Sequence, residues 1–202
     1  MKLWTLQPIE WYDKLCRNGI ICGESKHIEL TKEEENFDYA YDWMIQEMKA
    51  RIGDCKNVGD YPIWAWYQYE NHKKRRPDLR CSGFFEKGTK AVRIEFEKAE
   101  QDVLLSDFDL WLYVLNYWYI PDTEEESLHF DKLLEESGVN FIDKEDYTPE
   151  MRQLVEDSWT KIFDMNYSSK DLADPFEKKS IQATFWQLSV DDITKVDYFT
   201  AR

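Results

Sequence analysis

The chain has 202 residues, 33% of them charged, and a formal net charge of −15. A field of that sign repels phosphate backbones and argues against general nucleic-acid binding. Aromatic residues make up 16%, a share that excludes a disordered chain despite a mean hydropathy of −0.70. The length suits a single α+β domain over 1–202. The nine Trp, twelve Tyr and eleven Phe exceed what a core requires, leaving rings to line a pocket or an interface.

Leu3 to Gln7 reads as a strand ended by Pro8. Ile9, Tyr12, Leu15 and Cys16 then form a helical stripe, closed by Asn18-Gly19, with Cys16 expected as a small core residue. Ile20 to Gly23 is extended, and 24–35 is a glutamate-rich loop. Asn36 is placed to cap a second helix, whose inward stripe is Phe37, Tyr41, Met44, Ile45, Met48 and Ile52 and whose stop is Gly53. Residues 54–60 read as a loop. The run from Ile63 to Tyr69 is apolar on both faces, as suits a central strand or one bordering a pocket.

Residues 70–89 connect this strand to the next and open with Lys73-Lys74-Arg75-Arg76, with Arg80 close behind. In so acidic a chain the run reads either as a solvated loop or as an anion contact. Val92, Ile94 and Phe96 alternate with Arg93, Glu95 and Glu97, a half-buried strand with the charged set facing water. Repulsion between Glu95 and Glu97 would raise one carboxyl pKa if water did not screen it. A short strand at 103–105 precedes Ser106 and Asp109 in capping-box register. The following helix carries Leu110, Trp111, Val114, Leu115 and Trp118 inward and stops before Pro121. Residues 122–170 are acidic and helical, an insertion within the domain, with one helix over 123–136 and another opened by Thr148-Pro149. A strand over 181–188, a helical turn over 190–195 and a strand over 196–201 complete the chain. Strands and helices mix without regular alternation, so the expected fold is α+β, small mixed sheets flanked by helices.

No paired C-x-x-C or H-E-x-x-H is present, and no metal site is expected. The chain lacks Gly-rich phosphate loops and a G-x-S-x-G elbow. With no secretory leader or membrane-length apolar run, a cytoplasmic protein without membrane contact is expected.

The segments LWTLQ, AYDWMIQEM, YPIWAWYQY, RPDLR, VLLSDFDLW and IQATFW…VDYFTAR resemble an uncharacterised bacterial domain family over nearly the whole chain. More remotely, the opening strand, helix and glycine are similar to the first signature of ADP-ribosyltransferase-like folds. That resemblance implies an NAD cleft in which Thr5 and Gln7 orient a ribose. Trp64 and Trp66, with Tyr61, wall the base, and Arg80 meets phosphate. It also implies a late polar residue, for which this chain offers Gln182 where the family has a glutamate. Gln182 carries no charge to stabilise a cation, so Asp107 or Asp109 would supply the carboxylate. The bland reading of that pair is helix capping.

Three functional readings stay open. One is an NAD-binding, ADP-ribosyltransferase-like enzyme taking a small nucleotide ligand. The second is a non-catalytic ligand- or protein-binding module. The third is an acidic interaction protein that engages a basic protein partner. The nucleotide reading requires the first strand and the strand at 181–188 to lie side by side beneath one hollow.

Overall fold

The computed structural model describes residues 1–23, 37–55, 61–170 and 172–202. Five α-helices and eight strands occur among them, and the fold is α+β with antiparallel ladders. The chain forms two compact units, residues 1–105 with 181–202, and residues 106–180.

The first unit begins with Lys2–Pro8 (β1), Ile9–Asn18 (α1), Ile20–Cys22 (β2), Asp38–Ile52 (α2) and Ile63–Gln68 (β3). It continues through Lys90–Glu97 (β4) and into Leu104–Asp107 (β5), and resumes with Ile181–Phe185 (β6), Gln187–Ser189 (β7) and Ile193–Thr200 (β8). Six strands form one sheet in the order β5-β6-β3-β1-β4-β8, and β2 pairs with β7. Pro8 starts α1 at a φ of −56°, the value its ring imposes. Gly19 ends that helix with φ +74°, its N–H donating to the Leu15 carbonyl at 2.9 Å. A left-handed stop of this kind favours glycine because a Cβ would crowd the carbonyl.

Paired residues in an antiparallel ladder share a face, and neighbours alternate. One face of the large sheet therefore carries Leu3 and Thr5, with Ile63, Ala65, Ile94, Phe96, Ala183 and Phe185 in register. All of these but Thr5 join Leu15 of α1 and Ile21 and Leu188 of the small sheet in one apolar cluster. Burying a Leu or Phe side chain stabilises by roughly 1.5–3 kcal/mol, so this cluster is the main support of the first unit. The opposite face carries a cross-strand row of Gln182, Trp66, Trp4 and Glu95. Helix α2 covers part of that face, with the Tyr41 ring edge-on to Trp64 at 6.2 Å. The segment after β3 covers another part, where Arg75 lies 4.3 Å from the Tyr67 ring and 5.6 Å from the Trp4 ring.

The second unit contains Phe108–Leu115 (α3), Glu124–Ser137 (α4) and Pro149–Ser158 (α5). Thr123 and Thr148 cap α4 and α5 by accepting from Glu126 and Met151 N–H. The two caps satisfy donors that the helix itself leaves orphaned. Leu110, Val114, Phe130, Val155, Trp159 and Ile162 are buried. The Trp159 indole N–H donates to the Trp118 carbonyl at 2.9 Å.

Several expectations need correcting. Cys16 is exposed, because α1 turns Leu15 inward, with Trp11 and Tyr12 packed beside it. The face bearing Arg93 and Glu95 is not open to water: Arg93 is 7% exposed, and Glu95 accepts from the Trp4 indole at 2.9 Å and from Lys2 at 2.8 Å. The Glu95 carboxyl is consequently lowered, first by the Lys2 ammonium, not raised by Glu97. The cap of α3 is Asp107, which accepts from the N–H groups of Asp109 and Leu110, and Ser106 lies in β5. Helix α3 ends at Leu115, before Tyr117 takes φ +57° and well short of Pro121. The strand at 181–188 is two strands, β6 and β7, which belong to different sheets. Strand β3 separates β1 from β6, so the expected side-by-side pair does not form. The Asn36 cap and the loop at 24–35 lie outside the described residues, as does 56–60.

Candidate anion-binding pocket

The segment following β3 turns back on itself. Tyr69 and Glu70 N–H groups donate to the carbonyls of Arg75 and Lys74 at 2.9 and 3.2 Å. The Asn71 side-chain oxygen accepts from the N–H groups of Lys73 and Lys74 at 3.0 and 3.1 Å. An Asx turn of this sort fixes a tight reversal without a glycine. Buried Pro77 and the Arg75 guanidinium, which donates to the Tyr67 carbonyl at 3.0 Å, hold the segment down. A basic run that could have stayed a loose loop is thereby held in a defined shape.

This segment and β4 line a hollow of about 500 Å³ that is open to solvent on one side. Its cations are Lys73, Lys74, Arg75, Arg76, Arg80 and Arg93, set against the carboxylates of Glu70 and Asp78. The size falls in the usual range for a small-molecule site. Local charge opposes the sign of the whole chain, so the pocket is a positive focus within a negative field.

The cations differ in their commitments. Lys74 pairs with Glu70 at 2.6 Å, and Arg80 pairs with Asp78. The Arg80 guanidinium holds the Asp78 carboxyl well below the ordinary carboxylate range. Arg93 donates to the Pro77 carbonyl and to Asp197, while its Nε is buried and has no hydrogen-bond partner among the described residues. Neither Lys73 nor Arg76 has an ion-pair partner among those residues, and both are exposed. Arginine forks match phosphate oxygens in pairs, and lysine adds a mobile point charge. The arrangement leaves two exposed cations, Lys73 and Arg76, free of carboxylate partners among the described residues.

The residues singled out from sequence are distributed as follows. Arg80 lines this pocket. Thr5 is 2% exposed and donates to the Trp64 carbonyl at 2.9 Å, while Gln7 donates to Thr5 Oγ1 at 2.9 Å. Both lie on the apolar-cluster face of the sheet. Trp64, Trp66 and Gln182 lie on the other face, so the sheet itself stands between the ribose-orienting pair and the base-walling pair. Gln182 Oε1 is buried without a hydrogen-bond partner among the described residues. Asp107 and Asp109 belong to the second unit. Asp107 caps α3 and pairs with Lys179, a fully buried ammonium. Asp109 is raised by burial and by its neighbours Asp107 and Asp174.

Sequence reading named Arg75 within the basic run but missed Arg93 and Pro77 as parts of the pocket. The alternation of β4 put Arg93 on the face opposite the apolar cluster but could not show that this face is covered. The basic run was the available signal. Among the described residues no helix is long and apolar enough to cross a membrane.

A family model described as a domain of unknown function (DUF3841) matches residues 2–194, and the chain belongs to that family. Neither the curated proteins nor the solved structures offer a match.

Proposed function

We propose that this DUF3841 member is a binding module that holds a small phosphate-bearing ligand in the basic pocket. The observation that carries this reading is the concentration of six cations around about 500 Å³ in a chain of net charge −15. Like charges crowd there at an electrostatic cost, and an anionic occupant relieves it. The carboxylates in the lining are already engaged by Lys74 and Arg80. That leaves Lys73 and Arg76, exposed and without an ion-pair partner among the described residues, to meet a ligand.

The groups in the lining suit recognition more than bond breaking. Arg and Lys orient and neutralise phosphate, and Arg93 adds a partly desolvated charge, which is worth more than a fully hydrated one. The experiment is a thermal shift of the full chain with pyrophosphate at low and high salt, repeated on Lys73→Gln and Arg76→Gln. A ligand bound only to the folded state raises the midpoint. The reading expects a rise at low salt that fades at high salt and in both variants. An unmoved midpoint in the unaltered chain at low salt contradicts it.

A further inference from the structure

Resting on that reading, we propose that the occupant is a sugar or polyol carrying two phosphate groups, and not a nucleotide. The first argument is charge. Of the six cations in the lining, Lys74, Arg80 and Arg93 are paired with Glu70, Asp78 and Asp197, which leaves an excess of three positive charges. A phosphate monoester carries about −1.5 to −2 at neutral pH, so two of them supply about −3 to −4. One phosphate would leave about a third to a half of the excess unmatched.

The second argument is the absence of a platform for a base. No aromatic residue is among the described groups that line the cavity. Of the nearby rings, Tyr67 and Trp4 carry the Arg75 guanidinium at 4.3 and 5.6 Å, and Tyr69 packs against Trp66 and Phe84 at 5.0 and 5.6 Å. A guanidinium seated on a ring occupies the surface on which a base would stack. A nucleobase in this pocket would lose hydration and meet no aromatic ring among the described lining residues, only guanidinium planes already engaged or needed for phosphate.

The third argument is the pair of carboxylates. Glu70 and Asp78 are unfavourable neighbours for a bare polyphosphate, which offers them no donor. A polyol does, because its hydroxyls donate to the oxygen lone pairs left free by Lys74 and Arg80. A mixed lining of arginines, lysines and two carboxylates thus matches a ligand that mixes phosphates with hydroxyls.

The test is isothermal titration of the full chain with fructose 1,6-bisphosphate, fructose 6-phosphate, pyrophosphate, ADP and NAD. The bisphosphate is expected to bind about tenfold or more tightly than the monophosphate, and ADP and NAD no more tightly than pyrophosphate. Arg76→Gln should weaken the bisphosphate about tenfold. Glu70→Gln should lower the preference for bisphosphate over pyrophosphate, an effect that a folding defect would not produce. ADP or NAD binding about tenfold tighter than pyrophosphate overturns the inference and leaves the anion reading intact. Equal affinity for the mono- and bisphosphate does the same. Failure of every anion to bind removes the anion reading itself.

Discussion

Arg93 of β4 stands directly across the ladder from Asp197 of β8 and bonds to it, while its guanidinium also donates to the carbonyl of Pro77. One side chain therefore ties the sheet to the segment that carries the basic run. Removing it should affect both stability and the pocket.

Arg93→Met keeps much of the stem volume and deletes both bonds. Asp197 keeps Lys195 as a partner at 2.9 Å and is 26% exposed, so the loss is smaller than for a sealed pair. We expect about 2 kcal/mol, read from urea unfolding. The pH dependence has a definite sign. The Asp197 carboxyl is held below its ordinary value, chiefly by Arg93. Its contribution is complete above the unfolded value, about pH 4, and is lost as pH falls through the depressed one. The gap between wild type and variant should be constant near neutrality and shrink below about pH 4. A gap that widened on acidification would contradict this account of the pair.

Asp78 places a fixed negative charge in the pocket and competes with an incoming anion. Asp78→Asn keeps the shape and removes the charge. Affinity for pyrophosphate should rise about three- to tenfold, with the change concentrated at low salt. Because Arg80 depresses the Asp78 carboxyl, this residue stays charged through the mildly acidic range. Wild-type affinity should therefore gain nothing from Asp78 protonation there. Weaker binding by the variant would mean that Asp78 recruits the ligand instead of opposing it.

In the second unit, Asp107 performs two tasks, capping α3 and neutralising Lys179. Lys179→Met removes one charge of a buried pair and should cost about 3 kcal/mol. Asp107→Ala leaves a buried ammonium and also deletes the cap, for about 4 kcal/mol. The order of the two variants in urea is the informative result, and equal costs would argue against the cap. Ser106 is fully buried, and its hydroxyl has no partner among the described residues. Ser106→Ala should be neutral or stabilising by up to about 1 kcal/mol.

Gly23 passes so close to the neighbouring chain that a Cβ there would lie 2.0 Å from the Tyr61 carbonyl oxygen. Backbone must move to admit it. Gly23→Ala should lower stability by about 2 kcal/mol or more, and by more than Gly83→Ala, where a φ of +102° strains any side chain but nothing lies within 4 Å of the added carbon. Melting temperatures of the two variants give the comparison, and a smaller loss at Gly23 would contradict the close approach.

The local elements were legible because their signals are local. Pro8 and Gly19 bracket α1, Thr148-Pro149 opens α5, and the alternation around Ile94 marks β4. What covers each face was not legible, since that depends on contacts between distant segments. Trp4 and Glu95 meet across 91 positions, and Arg93 and Asp197 across 104. The same limit governed the site. The basic run announced itself, but Arg93 joined it only through strand pairing, and the β1–β6 adjacency failed because β3 claimed the place between them. Likewise, the extended run after Ile181 broke at Trp186, whose indole N–H donates to the Gly53 carbonyl at 2.7 Å.

The most direct measurement is anomalous diffraction from crystals of the full chain soaked in tungstate, an electron-dense oxyanion of phosphate-like geometry. The account predicts a principal peak inside the pocket, within hydrogen-bonding reach of Lys73 and Arg76, that is absent from Arg76→Gln crystals. Tungstate bound elsewhere on the molecule, with this cavity empty of it, would contradict the account.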